Sequence, residues 1–366
     1  MSGFDEYTQQ FEEPSGYFNF ASYGPPSRPV VEALSGTAQA AAGGAAGLHD
    51  HDERALAAVS RLTGFDRAGC LLTTSTSAGL QQIAFGLRGA DVLVSRDEFP
   101  ANLYPWWHAQ EAGLLTVRHV TRERPDVPVR MTANAVAEAI TPSTTAVAVS
   151  AVDFRTGYRA DLAALRDVIG ERLLIVDGIQ GFGVLDQDWQ LADAVVVGGQ
   201  KWLRAGWGAG FMALSERAVD QLEPILGGWT GVSDPGDYDG QPHTPAGGAS
   251  QLSVTYASPF TSAALWAALE LLESAGAPAV AKQVAESASL LTSGLRSADV
   301  EVLSPRDEEN RAGIVVARVD QAASVRDRLA QEGFTATAHG SDRIRLSVHA
   351  TTRAAAIEEV CRLLRN

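Results

Sequence analysis

The sequence predicts an α/β fold: a large three-layer domain on a mostly parallel sheet, followed by a smaller C-terminal α/β domain. Three observations predict it. From about Gly69 to Leu214, short apolar runs alternate with helix-like segments, the pattern of strands joined by crossover helices. Residues 225–254 then turn rich in Gly, Pro and Asp, which marks a long irregular loop. Beyond it, an apolar-periodic helix over 261–272 leads into a second mixed segment.

The candidate strands of the first region are 70–73, 91–95, 115–119, 146–151, 173–177, 194–197 and 210–214. Upstream, the Ala/Gly stretch 38–47 is low in complexity but short, and a helical pattern follows at 50–62. It reads as loop or helix, not linker. The second region offers strands at 314–318 and 343–347. This organisation divides the chain into residues 15–255 as the large unit and 256–366, together with 1–14, as the small one, with no internal repeat.

The composition of the 366 residues, 45% hydrophobic and 20% charged, is that of a globular protein able to bury a large core. A net charge of −15 without a basic patch excludes a nucleic-acid partner. Cys70 and Cys361 stand far apart, with neither CxxC nor Cys/His ligand spacing, so no disulfide framework and no metal site is expected. The first twenty residues are acidic and lack the apolar core of a signal peptide. No apolar run approaches the roughly 20 residues a bilayer crossing needs. The chain reads as cytoplasmic, without a membrane partner.

The chemistry concentrates in LLIVDGIQGFGVLDQDW and ADAVVVGGQKW. One apolar strand ends in Asp177, with Gln180 three residues on; the next leads through Gly198 and Gly199 to Gln200 and Lys201. Asp177 and Lys201 are 24 residues apart, each at the carboxyl end of a strand, where open α/β sheets bind ligands. Singly, Asp177 reads as a helix cap and Lys201 as a solvated charge. At successive strand ends they are the two groups that pyridoxal 5'-phosphate requires: an amine to join its aldehyde and a carboxylate beside its ring nitrogen. The anion favours the protonated ring, and the freed amine can carry the substrate's α-proton.

With those residues in place, the chain resembles the class V aminotransferase family, a pyridoxal-phosphate-dependent fold-type I group that includes cysteine desulfurases, kynureninases and isopenicillin N epimerase-like proteins. The likeness runs from NFASYGPP to RIRLSVHATT. Its specific part is D-x-x-Q with the K-W lysine motif. It implies that Lys201 carries the cofactor, Asp177 faces the ring nitrogen and Gln180 bonds the phenolic oxygen. Gln200 takes the place where many members have a phosphate-binding histidine, and it still donates a neutral hydrogen bond.

The same resemblance places Ser75, Thr76 and Ser77 of LLTTSTSAGL around the cofactor phosphate. Hydroxyls at a helix start suit an anion, though a plain N-cap is the competing explanation. Phe99 matches the ring over the cofactor, where desulfurases have histidine; a phenyl group stacks but moves no proton. Phe99 and Trp106 also read as core aromatics. Arg345 of IRLSVHATT matches the arginine that clamps the substrate α-carboxylate, with Arg343 on the same strand face as the fallback. Arg155, near Asp153, contacts substrate or pairs with an acid, and His349 reads as structural. Ser258 matches a hydroxyl reaching the phosphate of a second subunit, implying a homodimer with a shared site. A cap by Ser258 or Thr261 explains it equally well.

The implied activity is a reaction at the α-carbon of an amino acid. Transamination stands first, with C–S lyase, kynureninase-like cleavage or epimerisation as alternatives. Desulfuration is disfavoured, because the loop before the arginine strand, GFTATAHGSDRIRLS, holds no cysteine. A non-catalytic pyridoxal-phosphate binder stays open, although no helix-turn-helix precedes the domain. A nucleotide-binding protein is opposed by the lack of GxGxxG after an early strand.

Overall fold

The computed structural model describes residues 3–121 and 128–365. Its large sheet has seven strands: β1 (Cys70–Leu72), β2 (Asp91–Ser95), β3 (Thr116–Val120), β4 (Ala146–Ser150), β5 (Leu173–Asp177), β6 (Ala194–Gly198) and β7 (Gly210–Leu214), in the order β1-β7-β6-β5-β4-β2-β3. β7 alone runs against its neighbours. The sequence-based strands differ from these by at most a residue or two at their ends, where strand pairing stops for reasons outside the strand itself.

The central strands AVAVS, LLIVD and AVVVG are continuous apolar runs because both faces are covered. Successive side chains point to opposite faces. Val147, Val149, Leu174, Val176, Val195 and Val197 therefore join one core, while Ala146, Ala148, Leu173, Ile175, Ala194 and Val196 join another. Two cores on one sheet make the three layers. β3, TVRHV, is only part-buried and forms an edge of the sheet.

A second sheet, β8 (Ile314–Arg318), β9 (Thr337–His339) and β10 (Arg343–Ser347), is antiparallel with β10 in the centre. Its core takes Val315, Ala317, Ile344 and Leu346 from the strands, and Leu291, Leu295, Ile357 and Val360 from the helices Ala277–Ser297 and Ala354–Leu364. β9 goes unpredicted by the sequence: three residues, none fully buried, carry no readable period.

The helix Pro259–Ala275 outruns the expected 261–272, starting with proline in its first turn and stopping at Gly276, whose φ is 79°. The Ala/Gly stretch is split: the helix Arg28–Ala42 runs through its first half and ends at Gly43. In 225–254 the regular pieces are the 3-10 turns Trp229–Gly231 and Gly248–Leu252. The start of the chain runs between the cores, with Tyr7 in the first and Phe18 in the third. Asn19 bridges to Ser347, which brings the amino-terminal segment alongside the strand ends described next. Among the described residues no helix is long and apolar enough to cross a membrane.

Candidate active site

Three strand ends meet here: β4 at Ser150, β5 at Asp177 and β6 at Gly198, with Ser150 beside Asp177 in the parallel register. Asp177 is 2% exposed, and its Oδ1 accepts the Ile179 N–H at 3.0 Å. Burial pushes its carboxyl up to about 6, against the pull of that hydrogen bond and of the Lys201 charge. Lys201 follows β6 and is 8% exposed. Burial brings its amine down to about 8, with Asp177 opposing and Arg345 adding to the fall. The neutral amine, the nucleophilic form, is thus reached near physiological pH. Among the described residues, Lys201 Nζ has no hydrogen bond or ion pair; it stands 5.3 Å from the centre of the Phe99 ring.

The expected phosphate turn opens the helix Thr76–Gly86. Ser75 Oγ accepts the Ala78 N–H at 3.1 Å, so the capping explanation holds for Ser75. Thr76 Oγ1 accepts the Gly198 N–H at 2.9 Å, tying the helix start to β6. Ser77 is exposed, and the N–H groups of Thr76 and Ser77 have no intrahelical acceptor, as at any helix start. A Cβ on Gly198 would meet Gln200 Oε1 at 2.6 Å and Thr76 Oγ1 at 3.1 Å. Glycine there lets two polar side chains converge on one cradle. Buried amine, buried acid and this cradle together fit pyridoxal phosphate.

Gln180 is buried, its Nε2 donating to the Ala21 carbonyl at 3.0 Å and its Oε1 accepting from Trp202 Nε1 at 2.8 Å. One amide N–H remains for a ligand. Phe99 is 40% exposed and meets Phe154 edge-on at 5.1 Å. Trp106 is fully buried and bonds Asn102, so it belongs to the core.

Arg345, on β10, is 5% exposed. It donates to the Phe154 carbonyl at 3.1 Å and to Ser22 Oγ at 2.7 Å, and burial lowers its pKa to about 10. No described carboxylate lies within ion-pair distance of it. Arg343 instead meets Asp342 at 3.3 Å, and Arg155 meets Asp97 at 3.1 Å, the acid pairing foreseen for it. Asp153 shapes its own loop by accepting from the Arg155 and Thr156 N–H groups. Ser258 caps Pro259–Ala275 with its backbone alone; Thr261 Oγ1 donates to its carbonyl. His349 is wholly buried against Phe20 and Trp202, and burial pushes it down to about 3.

Sequence reasoning missed four residues. Glu98 is buried, and its carboxylate takes both the N–H (3.0 Å) and the hydroxyl of Ser150. Burial pushes it up to about 7, Ser150 pulls it back, and the nearby Asp177 and Asp153 charges add to the rise. Its signal was a carboxylate three residues past β2, directly before Phe99. Ser22, Phe154 and His339 carried none. Elsewhere, Asp237, Asp239 and His243 gather in the exposed loop with ligand atoms within 4.8 Å of one another; His243 bonds Asp239 there at 3.1 Å.

Residues 44–362 match the family description Aminotransferase class-V. The chain belongs to the class V aminotransferase family, whose members work with pyridoxal phosphate. It is 31% identical to an isopenicillin N epimerase of Streptomyces clavuligerus over 192 residues, 50% of this chain and 48% of that one. It is 28% identical to a kynureninase of Deinococcus radiodurans over 229 residues, 56% of this chain and 53% of that one. The chain thus spans about half the length of the curated relatives it matches. The cystine C–S lyase C-DES, solved with its product cysteine persulfide, superposes with a TM-score of 0.86 at 21% identity, over 96% of this chain and 97% of that one. Cysteine desulfurases share the same fold at lower identity.

Proposed function

We propose that this chain binds pyridoxal 5'-phosphate covalently through Lys201 and transaminates an amino acid. The observation that carries the reading is the buried acid and amine at the ends of β5 and β6, with the free amine facing Phe99. When bound, the cofactor supplies an electron-withdrawing ring that acidifies the substrate's α-hydrogen.

The chain's own residues do the rest. Asp177, fixed by the Ile179 N–H, sets the ring nitrogen's charge. Ser75, Thr76, Ser77 and Gln200 hold the phosphate with the helix start, and the spare Gln180 N–H serves the phenolic oxygen. Arg345 takes the α-carboxylate as a two-pronged donor. Lys201 carries the α-proton, because Phe99 offers only hydrocarbon on its side. A single base supports transamination over epimerisation, in which the proton returns to the opposite face. The relatives' names favour C–S lysis, kynureninase-like cleavage or epimerisation as the second reading. Desulfuration has little support, since Cys70 and Cys361 are both buried, with thiols pushed up to about 11.

The same proposal includes a cytoplasmic homodimer, in which Ser258, its hydroxyl unused in its own helix cap, reaches the other subunit's phosphate. It also includes the division into 15–255 and 256–366 with 1–14. Absorbance with product mass spectrometry tests the activity. The bound cofactor should give a near-visible band, absent in Lys201→Ala, and amino acids should yield 2-keto acids. Pyruvate from a sulfur-bearing substrate, or a stereoisomer, would move the assignment to the second reading. A band that ignores every amino acid would mean binding without catalysis.

A further inference from the structure

We propose that the substrate's side chain ends in a carboxylate, received by His339, Arg343 and Arg155 while Arg345 holds the α-carboxylate. This rests on the reading above and names its substrate class.

The small sheet presents these groups as a row. β9 and β10 pair antiparallel with Arg343 opposite His339 and Arg345 opposite Thr337. Directly opposed residues share a face, and so do residues two apart along a strand. That face looks into the site: Arg345 reaches Ser22 and the Phe154 carbonyl, and its charge is felt at Lys201. Arg155 joins from the large domain, its guanidinium 5.1 Å from the Phe154 ring centre. Ring contacts lead outward from the amine, from Phe99 to Phe154 at 5.1 Å and from Phe154 to His339 at 6.3 Å.

Three buried polar nitrogens in this corner have no partner among the described residues: Arg155 Nε, Arg345 Nε and His339 Nε2. Leaving such a group unpaired is costly, and native proteins rarely do so without a function. The described acids do not fill the gap. Asp97 serves Arg155 from one side, and Asp342 is shared between Arg343 and Arg318 at a surface where water screens it. Burial pushes the His339 ring down to about 4, with the Arg345, Arg343 and Arg155 charges adding to the fall; at neutral pH it is an uncharged imidazole, able to donate from Nε2 in that tautomer.

Positions 343 and 345 are about 7 Å apart along the strand. One α-carboxylate at Arg345 is too small to satisfy both ends of the row. A second carboxylate, carried on the side chain of the same molecule, spans it.

The test uses the cofactor-loaded enzyme and its near-visible band, titrated with glutamate and 2-aminoadipate against their uncharged counterparts glutamine and norleucine. The acids should act at concentrations about 10- to 100-fold lower. That ratio should shrink toward one in His339→Ala and in Arg343→Met. Equal response of the wild type to acids and uncharged counterparts overturns the inference, as does a preference surviving in both variants. Because the first comparison needs no variant, a misfolded mutant does not blunt it. A chain without the band would instead sink the pyridoxal-phosphate reading and this inference with it, whereas a band blind to all four amino acids would overturn this inference and leave cofactor binding standing.

Discussion

The Asp177 end of the site and the Arg345 wall are built in opposite ways. Asp177 and Lys201 are 24 residues apart, Asp177 at the end of β5 and Lys201 three residues past β6, its parallel neighbour, and each is the opposing charge that acts on the other. Arg345 lies on a different sheet, and its partners Phe154 and Ser22 are 191 and 323 residues away. The first region is a local device, repeated wherever strands end side by side. The second exists only once the small sheet has docked. The acid–amine pair is thus written in a short stretch of chain, and the surroundings of Arg345 in long-range packing.

The sharpest way to break the comparison is at its local end. Lys201→Ala should abolish the near-visible band and lower turnover by about 10³-fold or more; retained turnover would show that the amine is not the acting base. Asp177→Asn should keep the shape of the strand end but remove the charge, lowering kcat by roughly 100-fold. A kcat within a factor of about two of wild type would separate Asp177 from the ring. On the wall, Arg345→Met should raise KM and cost about 2 kcal/mol or more in kcat/KM. Unchanged kinetics with every α-amino acid tried would remove Arg345 from carboxylate binding.

Two smaller effects concern stability and run in opposite directions with pH. His349 is buried neutral with its pKa lowered to about 3, so below the free value of 6.5 the unfolded chain takes up a proton that the native state refuses. Stability is therefore lost as the pH falls from about 6.5 toward 3, by up to about 1.4 kcal/mol per unit. His349→Phe should flatten that loss, read as a smaller Tm drop between pH 7 and pH 5. Glu98 is raised to about 7, so it holds its proton in the native state after the unfolded chain has released it near 4.5. Its contribution is complete below that pH and fades as the pH climbs to 7. Glu98→Gln should narrow the Tm difference between pH 5 and pH 8, and an unchanged difference would mean the carboxyl is not protonated in the folded protein.

Much of this was legible beforehand. The apolar runs that form β4, β5 and β6 were read almost residue by residue, because a strand buried on both faces leaves an unbroken hydrophobic signature. Asp177 and Lys201 stood out because polar groups at the ends of such strands are costly unless they are used. β9 was invisible: three half-buried residues form a strand only by pairing with β10. Glu98 was overlooked beside Phe99, since its importance comes from the register that sets Ser150 next to Asp177.

By itself, the sequence determined the layered sheet, the acid and amine at its strand ends, and the family they signal, because periodicity and strand-end chemistry depend on neighbours along the chain. Only the tertiary structure decided that buried Arg345 has no carboxylate within ion-pair distance among the described residues, that burial raises the Glu98 carboxyl, and that His339 shares a face with Arg343. Those outcomes follow from desolvation and from contacts between segments hundreds of residues apart, and neither is a property of any short stretch.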